Sequence, residues 1–477
     1  MSPLLLVLIP ALGVLLLGSR SGRARAPALL LGVATLELLV ALVIAFEASD
    51  TGYFHGYVMV DPTARLFATV IDLIFFGIAV YVWNRVREAP ALETGIERFV
   101  ALALVFLGAA NLALFANHLL LIWILLELTT LTAAPLIVRP GVLSSRRASW
   151  HYFLFSSVGL GFALIGFFCL ARSLDADGRE ATFFLNELAA RVGGPADPWR
   201  KLGLALVFLG FGTKLGLAPM YSWLPEAYDE APPATTALLA AVQFNCALVG
   251  LLRVVQVYRS ADPELVSTQL VVIGLASMAV STVSIIATRN IKRLIAYGSI
   301  NHAGVIAIGL GVGKAASYGL LLYVVSNAFI KAILFLTVGK IKAHYHTKDT
   351  REISGLIKDL PYSGTFLMIG TFALLGFPPF GSFRGELLIL SGLVGTGQVL
   401  VFAVFCALIT ISFVATGRTV FPMIWGEPKK KVTWPPQTAL AAAPKMVFLA
   451  ALVAMGIYMP SGVDLLFRQV ATSLGGP

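Results

Sequence analysis

Long apolar runs separated by short polar turns dominate this chain, and their spacing predicts helices throughout. Many runs approach or exceed the roughly 18 to 20 residues that a helix needs to cross a bilayer. They centre near residues 10, 36, 75, 107, 128, 160, 210, 244, 277, 303, 326, 372, 400 and 451. The pattern predicts an all-α polytopic membrane protein with about fourteen transmembrane helices. Between runs, the loop 172–201 contains LNELAARV, which reads as a short surface helix. The segment GEPKKKVTWPPQ at 426–437 reads as a connector before the last span.

Composition agrees. Of the 477 residues 58% are hydrophobic and 13% charged, too apolar for a soluble domain. The first apolar run has no basic residue before it, the reverse of a cleaved signal peptide, so it reads as a retained first helix. The net charge of +10 follows loops, not a nucleic-acid-binding stripe. Arginines and lysines gather in alternate loops, beginning with Arg20, Arg23 and Arg25 and ending with Arg418 and Lys429-Lys430-Lys431. The positive-inside rule then puts those loops in the cytoplasm and both termini outside. Cys169, Cys246 and Cys406 sit inside apolar runs without metal-ligand spacing and read as small buried side chains.

Charges inside the spans change the picture from membrane protein to ion path. A charge at mid-membrane costs at least about 2.5 to 3.5 kcal/mol and points to function. Glu127, Lys214, Lys331 and Glu386 all fall within apolar runs, with Glu37, Asp72, His302 and Arg384 as lesser candidates. Acids and lysines at close range stabilise each other's charged forms, and lysine releases its proton more readily than arginine. A static Glu127–Lys214 ion pair tying two helices together is the plain alternative. For Glu37 and Asp72 the plain reading is a loosely solvated carboxylate near the interface. Ser299, Asn301 and His302 follow one another in a single span; the histidine reads either as a proton relay or as a helix-packing donor.

Two of the charges sit at helix breaks. GTKLGLAP carries Lys214 and GFPPFGSFRGE carries Glu386. Backbone at membrane depth leaves the helix only where protein or a water-lined cavity satisfies it. Paired interrupted helices mark ion sites in inverted-repeat transporters.

These segments resemble the antiporter-like membrane subunits of respiratory complex I, multisubunit cation/proton antiporters and membrane-bound hydrogenases, nearest to the hydrogenase-4 component F branch. LLLIWILLELTTLTAAPLIV, GFGTKLGLAPMYSWLPEAYDEAPPATTALL, FNCALVGLLR, IKRLIAYGSINHAG, NAFIKAILFLTVGKI and GFPPFGSFRGELLIL carry the likeness, in the family's order. The resemblance implies fourteen helices and two inverted five-helix repeats, at 98–256 and 266–417. Helices at 1–97 would precede them, and a connector with a last helix at 418–477 would follow. It implies that Glu127 pairs with Lys214, that Lys331 is a central lysine, and that Glu386 stands where protons pass outward or to the neighbouring subunit. Three positions depart from the family's usual residues: Tyr228, Asn245 and Asn327 stand where many relatives titrate. Serine, asparagine and water would have to bridge those gaps.

The implied function is proton translocation within a redox-driven membrane complex. The chain itself would carry no cofactor or metal; iron–sulfur or nickel–iron centres would belong to partner subunits. Partners would be further membrane subunits and a soluble peripheral module in the inner membrane, with no nucleic acid. The alternatives are a secondary cation/proton antiporter subunit, or an ion-coupled partner of a non-redox uptake assembly such as one for inorganic carbon. The chain ends soon after its last predicted span, without the long helix of the most distal complex I subunit.

Overall fold

A computed structural model of the chain describes every residue except 1–2, 20–21, 23–24, 48–49, 89–94, 177, 179, 195, 429–438 and 475–477. Arg20, Arg23, Lys429, Lys430 and Lys431 therefore lie outside the described residues, as does most of the 426–437 connector. The apolar runs fold as helices because only a helix satisfies every backbone group without water. In chain order these are α1 (Leu5–Leu17), α2 (Ala26–Ala45), α3 (Pro62–Glu88), α4 (Ile96–Phe115), α5 (Leu119–Ile137) and α6 (Leu143–Ala176). The short helix α7 (Leu185–Arg191) stands where the surface helix was expected. Then come α8 (Pro198–Leu215), α9 (Trp223–Glu230), α10 (Pro233–Tyr258), α11 (Pro263–Ala287), α12 (Ile291–Val312) and α13 (Ser317–Tyr345). The last five are α14 (Pro361–Leu374), α15 (Gly381–Gly395), α16 (Val399–Trp425), α17 (Ala439–Ile457) and α18 (Ser461–Leu474).

Among the described residues, 10 helices are long and apolar enough to span a membrane, and α17 with α18 forms a further candidate bent by 73°. The other expected positions hold a helix of 13 residues, α1, and two interrupted pairs, α8/α9 and α14/α15. Helix α18 was not anticipated.

Burial sorts the helices. All of the apolar windows of α10 and α13 are buried, against 17% in α16. So α10 and α13 form the centre and α16 lies at the periphery. Between α6 and α8 the backbones meet: a Cβ on Gly210 would stand 2.6 Å from Gly159 O. Small residues permit such approach where lipid offers no hydrophobic drive for association.

At one end of the bundle, loops far apart in sequence converge on α9. Lys348 Nζ reaches Asp229 Oδ1 at 2.7 Å and Glu230 Oε1 at 3.3 Å, and Arg293 reaches Asp229 at 3.2 Å. Arg139 pairs with Glu230. Burial pushes the Asp229 carboxyl up, but Lys348, with Asn290 and Lys292, outweighs burial and holds it below the usual value. A group held low in the fold adds stability that is complete above its unfolded pKa, about 4 for aspartate. That stability is lost as pH falls through the folded value. Asp229→Asn should therefore cost about 1.5 to 3 kcal/mol at neutral pH, the range for hydrogen bonds to a charged group, since Lys348 and Arg293 keep contact with water once the acid is gone. Thermal unfolding measured from neutral to acid pH should also show a shallower acid-side loss than in the wild type.

Candidate functional site

The first break follows Lys214. Gly216 turns the chain at φ 75°, a left-handed value that glycine adopts without strain. Its backbone is satisfied locally: Leu217 N donates to Gly212 O at 2.7 Å, and Ala218 N donates to Ser277 Oγ on α11 at 2.8 Å. Trp223 Nε1 donates to Thr213 O at 2.9 Å. The second break repeats the arrangement. Gly376 turns at φ 68°, Phe377 N donates to Phe372 O at 3.0 Å, and Ser382 Oγ donates to Ala373 O at 2.7 Å.

Lys214 is buried at the end of α8. Its Nζ donates to Thr130 Oγ1 on α5 and stands 5.6 Å from the centre of the Tyr152 ring. Glu127, one turn earlier on α5, accepts from Ser157 Oγ of α6 at 2.5 Å, and its Oε2 has no hydrogen-bond partner. The expected contact between these two charges is not made: no nitrogen–oxygen approach within 4.0 Å joins them. Thr130 stands where the carboxylate was expected.

Lys331 is fully buried in α13, and its Nζ has no hydrogen-bond partner. It lies 3.8 Å from the centre of the Phe244 ring. That ring is presented by α10 just after a π-helical turn, Leu238–Gln243. The extra residue in such a turn re-aims side chains and is common at functional sites. Here it also aims Gln243, whose Nε2 donates to Tyr152 Oη at 2.5 Å and Thr129 Oγ1 at 3.4 Å. Gln243 and Tyr152 thus link the surroundings of Lys214 to those of Lys331.

Asn327 sits one turn from Lys331 on the same helix, so the two share a face. Its Oδ1 lies 3.0 Å from His302 Nδ1. His302 Nε2 faces Leu374 O at 3.0 Å, the last residue of α14 before the break. A carbonyl only accepts, so this contact needs a proton on Nε2; a neutral ring then accepts at Nδ1, which pairs it with the amide nitrogen of Asn327 in the turned-over amide. Glu386, on α15, places Oε2 2.6 Å from where a Gly376 Cβ would stand, so its carboxylate lies against the break. Any side chain at Gly376 would displace it.

The other expected bridging residues are placed differently. Ser299 Oγ donates to Ile295 O at 3.0 Å and Asn245 Nδ2 to Ala241 O at 2.5 Å, each within its own helix. Tyr228 is packed between the Trp223 and Phe335 rings. Arg384 Nη1 reaches Met455 O at 3.4 Å. Glu37 and Asp72 are not loosely solvated: both are 0% exposed and accept from Asn111 Nδ2 at 2.9 and 3.1 Å. Among the described residues no three His, Cys, Asp or Glu side chains are placed to hold a metal ion.

Residues 116–412 match the family model described as NADH:quinone oxidoreductase/Mrp antiporter, TM. The chain belongs to this family. It is an antiporter-like, multi-pass membrane subunit. The matched segment contains all four charges and both breaks. A similar protein is the hydrogenase-4 component F homolog of Methylacidiphilum infernorum, 28% identical over 99% of this chain and 100% of that one. The NADH-quinone oxidoreductase subunit N 2 of Sorangium cellulosum is 28% identical over 82% of this chain and 81% of its own length. In fold, the subunit resembles a chain of the membrane-bound sulfane sulfur reductase, an archaeal respiratory membrane complex. The TM-score is 0.87, with 21% identity over 99% and 98% of the two chains.

Proposed function

We propose that this antiporter-like subunit translocates protons within a redox-driven membrane complex, along the row Glu127, Lys214, Lys331 and Glu386. The carrying observation is that Lys214, Lys331 and Glu386 stand at and between two helix breaks, with Glu127 one turn from the Thr130 that binds Lys214, and that Thr130, Gln243, Tyr152, Asn327 and His302 join them in part. A proton entering from the cytoplasm would reach Lys214 or Lys331. A change in the separation of Glu127 from Lys214 would drive it sideways. His302 and Asn327 would pass it toward the second break, and Glu386 would discharge it outward.

Energy would come from a partner, with any iron–sulfur or nickel–iron centres held there and none in this chain. The setting would be the inner membrane, with both termini outside, neighbouring membrane subunits and a soluble module. The two inverted repeats would be 98–256 and 266–417. Component F and subunit N are names of parts of larger assemblies, which supports this setting.

The test is isolation of the native assembly through a tag on this chain, identification of its partners, and reconstitution into vesicles. Turnover of the partner's electron donor is expected to build a pH difference without added sodium. A pH difference that appears only against an imposed sodium gradient would make the chain a secondary antiporter subunit. An assembly with a large soluble partner and no redox turnover would overturn the redox reading.

A further inference from the structure

The row above uses nothing from α2, α3 or α4, yet the most completely buried acids among the described residues are there. Glu37 projects from α2, Asp72 from α3 and Asn111 from α4, all 0% exposed. The amide of Asn111 bridges both acids through Nδ2, at 2.9 Å to Glu37 Oε2 and 3.1 Å to Asp72 Oδ1. That uses both of its hydrogens. Glu37 Oε1, Asp72 Oδ2 and Asn111 Oδ1 are left buried with no partner. The cluster is short of donors, and three acceptor oxygens face no hydrogen.

No described cation corrects this. Helix α1 carries no charge along its length. Glu127 on α5 turns to Ser157, and Lys331 on α13 lies over Phe244. Lys445 on α17 lies over Phe366, and Asp464 and Arg468 on α18 pair with each other. Cys246 of α10 packs beside the cluster, its Sγ 4.0 Å from Ala110 O next to Asn111; the thiol lies within electrostatic reach of both Asp72 and Lys214, and Lys214 itself is bound to Thr130. Two ionised carboxylates sharing one amide, away from water and without a counter-charge, would be severely unstable. A proton on Glu37 Oε1 or Asp72 Oδ2 removes a charge and supplies a missing donor. A divalent ion takes about six oxygens or more, and no third acidic, histidine or cysteine group joins the pair among the described residues.

We propose that Glu37, Asp72 and Asn111 form a proton-binding site, a carboxyl pair that holds at least one proton between α2, α3 and α4, separate from the Glu127–Glu386 row. The site does not depend on the transport reading. It gives the N-terminal helices a proton store with Cys246 on the side that faces α10.

Infrared difference spectroscopy of the full chain in its native complex tests this. Wild type would be compared at neutral pH with Glu37→Gln, Asp72→Asn and the double variant. The difference is expected to contain the carbonyl stretch of a protonated carboxyl, absent from the double variant and lost from the wild type at alkaline pH. Asn111→Leu removes the bridging donor and leaves both acids; the same band is expected to move to higher frequency. A difference containing only ionised-carboxylate bands at neutral pH would overturn the proposal. Bands that respond to added sodium at fixed pH would also overturn it, making the cluster a cation site.

Discussion

Lys331→Met should stop proton translocation and leave the protein at least as stable as the wild type. Methionine fills nearly the same volume, and volume-conserving swaps in a packed interior are tolerated best. Lys331 has no ion-pair or hydrogen-bond partner to lose, only the face of Phe244 at 3.8 Å. A cation over an aromatic face gains about 2 kcal/mol when desolvated, while burying the charge costs several. The ammonium thus opposes folding at this position, and its removal should raise or preserve the melting temperature. Rate is another matter. Positioned proton donors and acceptors contribute about 100-fold or more, so translocation in vesicles should fall by at least that factor. Unchanged translocation would remove Lys331 from the path. A large loss of stability would make it a structural residue.

Some of this was legible in the sequence and some was not, and the difference is physical. Helices were legible because membrane depth forces every backbone group into the same pattern. The breaks were legible because glycine and proline at depth need a reason. Lys214, Lys331 and Glu386 stood out because single charges in apolar runs are conspicuous. Helix α18 was not legible: SGVDLLFRQVATSL is short and amphipathic, and although Pro460 marks a break after α17, nothing local sets the 73° angle between the two. The π turn at Leu238–Gln243 was not legible either, so neither was the approach of Phe244 to Lys331. Gln243 could have been found as an amide in the apolar run LLAAVQF. The environment of Glu37 and Asp72 depends on Asn111, 74 and 39 positions away in sequence. Only the packing of three helices reveals it.

A double-variant cycle on Glu127 and Lys214 separates a transfer site from a static tie between helices. In a static tie, each charge exists to balance the other. Removing one strands its partner and costs about 3 to 5 kcal/mol, and removing both restores much of that. The arrangement here is different: Lys214 is held by Thr130, Glu127 by Ser157, and no ion pair joins the two. Glu127→Gln and Lys214→Met should therefore show a coupling in stability of about 1 kcal/mol, below that of a direct pair, because the carboxylate still acts on the ammonium without touching it. Their effect on function should be large and not additive. Either single variant should reduce translocation by about 100-fold, and the double variant should be no worse, because one interrupted path cannot be interrupted again. Thr130→Val tests the same point from the other side. It removes the acceptor of the Lys214 ammonium and keeps the shape of the side chain. It should slow translocation less than Lys214→Met, because the lysine remains available to carry the proton. A strong stability coupling between Glu127 and Lys214, with translocation intact in either single variant, would return the pair to a structural role and leave Lys331 and Glu386 as the only transfer groups in the row.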